Sequence, residues 1–319
     1  MDTKDLPTKI RNLIEAVHDA GELTPARAGR TLEAAELSPD DLEPWADWNH
    51  PVADSYGRQM VFDGGYFELM VMSWLPGDMA AIHDHGYTQW GALRLFGDAE
   101  HAIFRTKNDT FTTTDRRIFA AGSVVNVNHD LIHQMGNTSS TPFLSLHLYG
   151  CTGRQGDITS EARVYELDQR LIQRVDGGVF FGLPDDGVLR TEPCPTPDFT
   201  TRCRHQTELL RRLSKMSGSL SDPIAITQRE RALIERLFGD EARENAVEAL
   251  APLLEQSAAI TTRLEAPISD LISVLTLRDE LLNAGLLEGE PADSEALESG
   301  EPTRVAGAYL DLLHLTTNA

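Results

Sequence analysis

The sequence predicts a mainly β, antiparallel double-sheet barrel with N-terminal helices and a following all-α region, and three observations predict it. From Gly57 the chain is built of short apolar runs rich in β-formers, such as Phe67-Glu68-Leu69-Met70-Val71-Met72 and Ala102-Ile103-Phe104. Turn signals at Asp63-Gly64-Gly65, Pro76-Gly77 and Gly97-Asp98 separate them, and many short strands at this spacing favour two packed antiparallel sheets. On either side of this stretch apolar residues recur at helical spacing instead.

In chain order, Ile10, Leu13, Ile14 and Val17 form one helical face, and Thr24-Pro25 and Ser38-Pro39 are cap-then-proline helix starts. These short helices are expected to pack on the outside of the barrel. Val164 to Leu183, with its Asp176-Gly177-Gly178 turn, reads as a closing hairpin, and Pro193 to Pro197 as a linker. Beyond it, Asp222-Pro223 starts a helix, Ile268, Leu271, Ile272 and Leu275 share a helical face, and so do Val305, Ala308, Tyr309 and Leu312. Glu288 to Glu301, acidic and containing Pro, Gly and Ser, reads as a mobile loop. The expected division is a barrel domain with its helices over residues 1–190 and a helical domain over 191–319. The latter carries no metal or nucleophile signature and is expected to serve packing or homo-oligomerisation.

A net charge of −22, with 24 Arg against 4 Lys, marks an acidic chain that nucleic acid and anionic membrane surfaces would repel. Met1 to Pro7 lacks the charged-then-apolar pattern of a secretory leader, and no apolar run is long enough to cross a bilayer. A cytoplasmic location is therefore expected. Cys151, Cys194 and Cys203 are odd in number and lack Cys-x-x-Cys spacing, which points to neither a disulfide framework nor a zinc site.

Chemistry concentrates between Gly77 and Tyr149. In a strand, alternate side chains share a face, so His83 and His85 would point the same way, about 7 Å apart at Cα. A third imidazole from a later strand, His133, would complete a three-nitrogen face with its far side open to substrate, as a catalytic metal requires. Ser145, His147 and Tyr149 alternate in the same manner on one further strand.

These spacings resemble the two motifs of the cupin barrel. Gly77, His83, His85 and Gly97 fit the first, with Trp90 in its Glu slot; Gly122, His133 and Asn137 fit the second, with Asn128 and Asp130 replacing its Pro and second Gly. With the carboxylate ligand missing, three neutral imidazoles would leave a bound divalent iron its full charge and favour an incoming thiolate. The pattern is similar to the cysteine dioxygenase family of thiol dioxygenases, over somewhat more than half the chain. Ser145, His147 and Tyr149 match its Ser-His-Tyr relay, and Tyr56-Gly57-Arg58 matches its Tyr-x-Arg, whose Arg grips the substrate carboxylate.

The resemblance implies one Fe(II) per chain held by His83, His85 and His133, and oxidation of a small thiol to its sulfinate by O2. Arg58, assisted by Tyr56, would pair with the substrate carboxylate. Ser145 would orient His147, and His147 would orient Tyr149, whose hydroxyl would serve the reacting oxygen or the substrate. Cysteine leads as substrate. Because Gln59 adjoins Arg58, a one-residue shift of register would instead favour 3-mercaptopropionate or a related thiol acid. In animal members a Cys forms a thioether with the active-site Tyr; the register puts Trp90 there, so no crosslink is expected and an indole would alter the pocket. A non-catalytic cupin sensor is the contrasting class, which would not need an ordered relay. Cupins acting on oxygen-containing substrates usually keep the Glu that is absent here.

Overall fold

The computed structural model describes residues 3–50, 55–167, 169–180, 183, 187–198 and 290–301, with isolated positions between 201 and 308. Three helices precede the strands: α1 (Thr8–Asp19), α2 (Pro25–Ala34) and α3 (Pro39–Leu42). The spacing that predicted α1 also defines its buried face, Ile10, Leu13, Ile14 and Val17. At the start of α2 the Thr24 hydroxyl accepts from the backbone N–H of Arg27 at 3.3 Å, satisfying one otherwise orphaned donor, and Pro25 supplies a preset φ.

Among the described residues twelve strands follow: β1 (Gly57–Asp63), β2 (Phe67–Trp74), β3 (Trp90–Leu95), β4 (Ala99–Lys107), β5 (Thr110–Phe119), β6 (Val124–Asn128), β7 (Ile132–Gly136), β8 (Phe143–Gly150), β9 (Ser160–Glu166), β10 (Leu171–Asp176), β11 (Val188–Pro193) and β12 (Thr196–Pro197). One sheet runs β1-β2-β8-β3-β6, with every pair antiparallel. Opposite it, β4 pairs with β7, and β10 lies between β9 and β11. Isolated bridges Met79–Gly136, His83–His133 and His83–Val164 stitch those two groups together through the segment carrying the first histidines. This is the antiparallel double-sheet barrel that the sequence predicts.

Alternation along β2 and β8 separates two cores. Phe67, Leu69 and Val71, with Leu144, Leu146 and Leu148, face outward and cluster with the apolar faces of α1 and α2. Met70, Met72, Trp74 and Tyr149 face inward with Leu93, Met135 and Val164. Each fully buried aliphatic side chain contributes about 1.5–3 kcal/mol. The outward cluster thus carries much of the packing, and it leaves the interior free to hold polar groups.

The chain divides into two compact units, the first holding Met1–Arg105, Thr113–Glu166 and Leu171–Cys194 and the second the remainder. Several expectations differ from the structure. The closing hairpin is β9–β10, and Asp176-Gly177-Gly178 ends β10 instead of connecting the pair. Pro193 to Pro197 is not a bare linker, since β11 runs to Pro193 and Thr196–Pro197 pairs in parallel with Thr110–Phe111. Within Glu288 to Glu301 lies a helix, α4 (Ser294–Ser299), capped by the Asp293 carboxylate on the N–H of Glu295 at 3.0 Å and closed by Gly300 at φ 59°; capping outweighs the loop-like composition. The helix start at Asp222-Pro223 lies outside the described residues, and so do Ile268, Leu271, Tyr309 and Leu312 of the two helical faces beyond it; Ile272, Leu275, Val305 and Ala308 are helical. Among the described residues, no helix is long and apolar enough to cross a membrane.

Candidate metal centre

His83 and His85 sit on an extended segment held by bridges, not on a continuous strand. The His83 N–H and C=O pair with those of His133 at 2.9 Å each, which fixes the two ligand-bearing segments against each other. Asp84, between the histidines, anchors the segment to β9: its carboxylate takes the Arg163 backbone N–H at 2.7 Å and forms an ion pair with the Arg163 guanidinium. Immediately after His85 the chain turns at Gly86, φ 57°, where a Cβ would stand 2.0 Å from the Ser160 carbonyl oxygen. Only glycine passes there.

The result is one buried cluster, with a nitrogen from each of His83, His85 and His133 within 4.8 Å of the others. No carboxylate belongs to it among the described residues. His83 Nδ1 donates to the Ala81 carbonyl at 2.7 Å, so its Nε2 carries the lone pair inward. His133 Nδ1 meets His101 Nε2 at 2.7 Å, and its Nε2 stands 3.1 Å from Nε2 of His83. Neither ring nitrogen of buried His85 is in a formed hydrogen bond, the Leu131 carbonyl offering only a weak electrostatic contact.

Burial pushes all three imidazoles toward the neutral form, His83 down to about 4 and His85 and His133 well below the usual histidine value. Neutral rings with convergent lone pairs repel one another unless a cation lies between them, so this donor set fits a metal ion. His101, absent from the expected set, is the outer partner that orients His133. It lies on β4 and pairs across to Met135 on β7, a relation that no local motif reveals.

Ser145, His147 and Tyr149 line the inward face of β8 as a continuous chain. Ser145 Oγ is 2.7 Å from His147 Nε2, and His147 Nδ1 is 2.7 Å from the Tyr149 hydroxyl. Trp74 extends it by donating Nε1–H to Ser145 Oγ at 2.8 Å. His147 is lowered to about 3 by burial, and Tyr149 is raised by burial and then by Tyr56, so neither ring is charged near neutrality.

Arg58 and Tyr56 line the same cavity as the three histidines and Tyr149. Tyr56 is buried and stacks on Trp74, with ring centroids 4.8 Å apart. Gln59 is exposed on the other face of β1, with its amide 3.3 Å from Asp47, so it is Arg58 that meets the cavity. Trp90 corrects an expectation. It opposes Gly150 and packs in the outer core beneath the helices, whereas Gly91 opposes Tyr149. The indole therefore takes no pocket space. A Cβ on Gly91 would lie 2.9 Å from Tyr149 Cδ1, so glycine lets the phenol ring approach the strand.

Residues 21–153 match the family model described as cysteine dioxygenase type I. Cysteine dioxygenase type 1 of Bos taurus is 29% identical over 152 residues, covering 45% of this chain and 74% of that protein. The human protein is 28% identical with the same coverage, and that of Danio rerio is 25% identical over 153 residues, covering 45% and 75%. Among solved structures, a protein with a double-stranded β-helix domain from Klebsiella pneumoniae aligns over 35% of this chain and 89% of its own, at 16% identity and a TM-score of 0.28. The sequence matches fall on the segment that carries the histidine triad and the Ser-His-Tyr chain, so residues 21–153 are similar to the cysteine dioxygenase type I family in the part that holds the site.

Proposed function

We propose that this protein oxidises a small thiol, L-cysteine first among candidates, to its sulfinate with O2 at a single iron site per chain. One observation carries the reading. Three neutral, carboxylate-free imidazoles converge in the same cavity that Arg58 and Tyr149 line. His83, His85 and His133 would hold Fe(II), which when bound supplies the charge that draws a thiolate and the electrons that make O2 reactive. The balance closes without an external reductant: RS⁻ and O2 give RSO2⁻, both oxygen atoms ending on sulfur.

The chain's own residues provide position and protons. Arg58 offers a planar fork to the substrate carboxylate and so fixes the thiol end toward the histidines. Holding both reactants in one buried cavity makes their encounter intramolecular. Tyr149, kept protonated by burial, offers a hydrogen bond to the developing charge, and His147 and Ser145 hold its phenol in place.

Arg58 at the cavity, with Gln59 turned to the other face, keeps the register in which the resemblance puts cysteine first; 3-mercaptopropionate, which shares the carboxylate, is the alternative. A non-catalytic sensor would have no use for the ordered chain from Trp74 to Tyr149. Residues 1–190 are taken as the catalytic domain, and 191–319 as a separate region for packing or homo-oligomerisation. A cytoplasmic setting and an absence of nucleic-acid or membrane partners belong to the same proposal, on the acidic charge. The test is O2 uptake by the iron-loaded protein across cysteine, 3-mercaptopropionate and cysteamine. Uptake with cysteine foremost supports the reading, and no thiol-dependent uptake refutes it.

A further inference from the structure

Glu68 is a buried acid inside the barrel that the proposed chemistry does not use. It is 4% exposed, and on β2 it lies directly across from Tyr149. One carboxylate oxygen accepts from the Ile158 N–H at 2.8 Å, and the other from the Thr159 hydroxyl at 3.1 Å. Thr159 Oγ1 in turn accepts from Arg58 Nη2 at 3.3 Å. That contact is the guanidinium's hydrogen bond to the protein among the described residues.

The direction of this chain is forced. A hydroxyl has one proton, and Thr159 gives it to a carboxylate that can only accept, so its lone pairs face Arg58. The contact anchors one corner of the guanidinium and leaves its other N–H donors for the cavity. Direct pairing of Glu68 with Arg58 would fill the fork that a ligand carboxylate needs. The interposed hydroxyl orients the cation while leaving the fork open.

We infer that Glu68, acting through Thr159, is a positioning residue that sets the Arg58 guanidinium to receive the carboxylate of a thiol acid. The inference rests on the carboxylate-gripping role proposed for Arg58. Its test is a cycle on the full-length, iron-loaded protein, with KM and kcat for L-cysteine read from O2 uptake per bound iron. Thr159→Val raises KM about tenfold, as loss of one hydrogen bond to a charged group implies, and kcat falls much less. Thr159→Ser restores KM, and Glu68→Gln, which keeps the shape of the site, follows Thr159→Val. In an Arg58→Ala background Thr159→Val adds less than about twofold, because the two residues act as one unit.

An equal KM rise from Thr159→Val in both backgrounds, or a fall in kcat with KM unchanged, overturns the inference. A silent Thr159→Val beside an Arg58→Ala that raises KM overturns it while sparing the role of Arg58. A silent Arg58→Ala removes both.

Discussion

Trp74 donates its indole N–H to Ser145 Oγ across 2.8 Å, and that bond sets the direction of every proton in the chain behind it. Ser145 is fully buried, so its own proton goes to its remaining partner, His147 Nε2 at 2.7 Å. Nδ1 of the neutral ring then carries hydrogen and donates to the Tyr149 oxygen at 2.7 Å. The phenolic proton is left for the cavity. Without the indole donor, Ser145 can accept from His147, and the whole chain can reverse until Tyr149 donates inward to His147.

Trp74→Phe therefore lowers kcat per bound iron by about tenfold, the value of one hydrogen bond's bias between the two directions. Iron content stays near that of the wild type, since Trp74 is not part of the donor set. Steady-state O2 uptake normalised to iron measures this, and an unchanged kcat would show that the indole is a packing residue only.

His101→Ala removes the outer partner of His133 and weakens metal binding by about 10- to 100-fold. Competition with a metal-sensitive chelator reads the affinity directly. His101→Gln, whose amide can still meet His133 Nδ1, recovers part of the loss. Equal affinity in His101→Ala and the wild type would remove His101 from the metal's support.

The metal-free protein loses stability as pH falls from about 6.5. An exposed imidazole titrates near 6.5, whereas burial holds His83 to about 4 and His147 to about 3 and lowers His85 and His133 as well. Between those limits the unfolded chain binds protons that the folded chain refuses, so stability is complete above 6.5 and declines below it. The slope is on the order of 1 kcal/mol per pH unit for each such histidine. Calorimetry of the metal-free protein from pH 8 to 5 should show a flat Tm that then falls steeply, and a flat Tm throughout would contradict the neutral, buried state of the cluster.

What sequence alone conveyed was whatever two-residue spacing encodes. His83 and His85, and the run from Ser145 to Tyr149, are local patterns, and the barrel preserves both. Trp74, His101, Thr159 and Glu68 act through register between strands, as in the pairing of Met72 with Ser145 and of Glu68 with Tyr149, and register is invisible in a single chain. Trp90 was misplaced because motif spacing put it one residue away from the position facing Tyr149: Gly91 opposes Tyr149, and the indole emerges on the outer face. The helix at Ser294–Ser299 was hidden by acidic composition, although Asp293 and Gly300 bracket it as cap and terminator.

The most direct test of the thiol dioxygenase reading is the fate of isotopically labelled oxygen. The iron-loaded protein, given L-cysteine under ¹⁸O2, is expected to form cysteine sulfinate carrying two labelled atoms, with one O2 consumed per sulfinate. Cystine and peroxide in place of sulfinate, or a sulfinate with a single label, would contradict it.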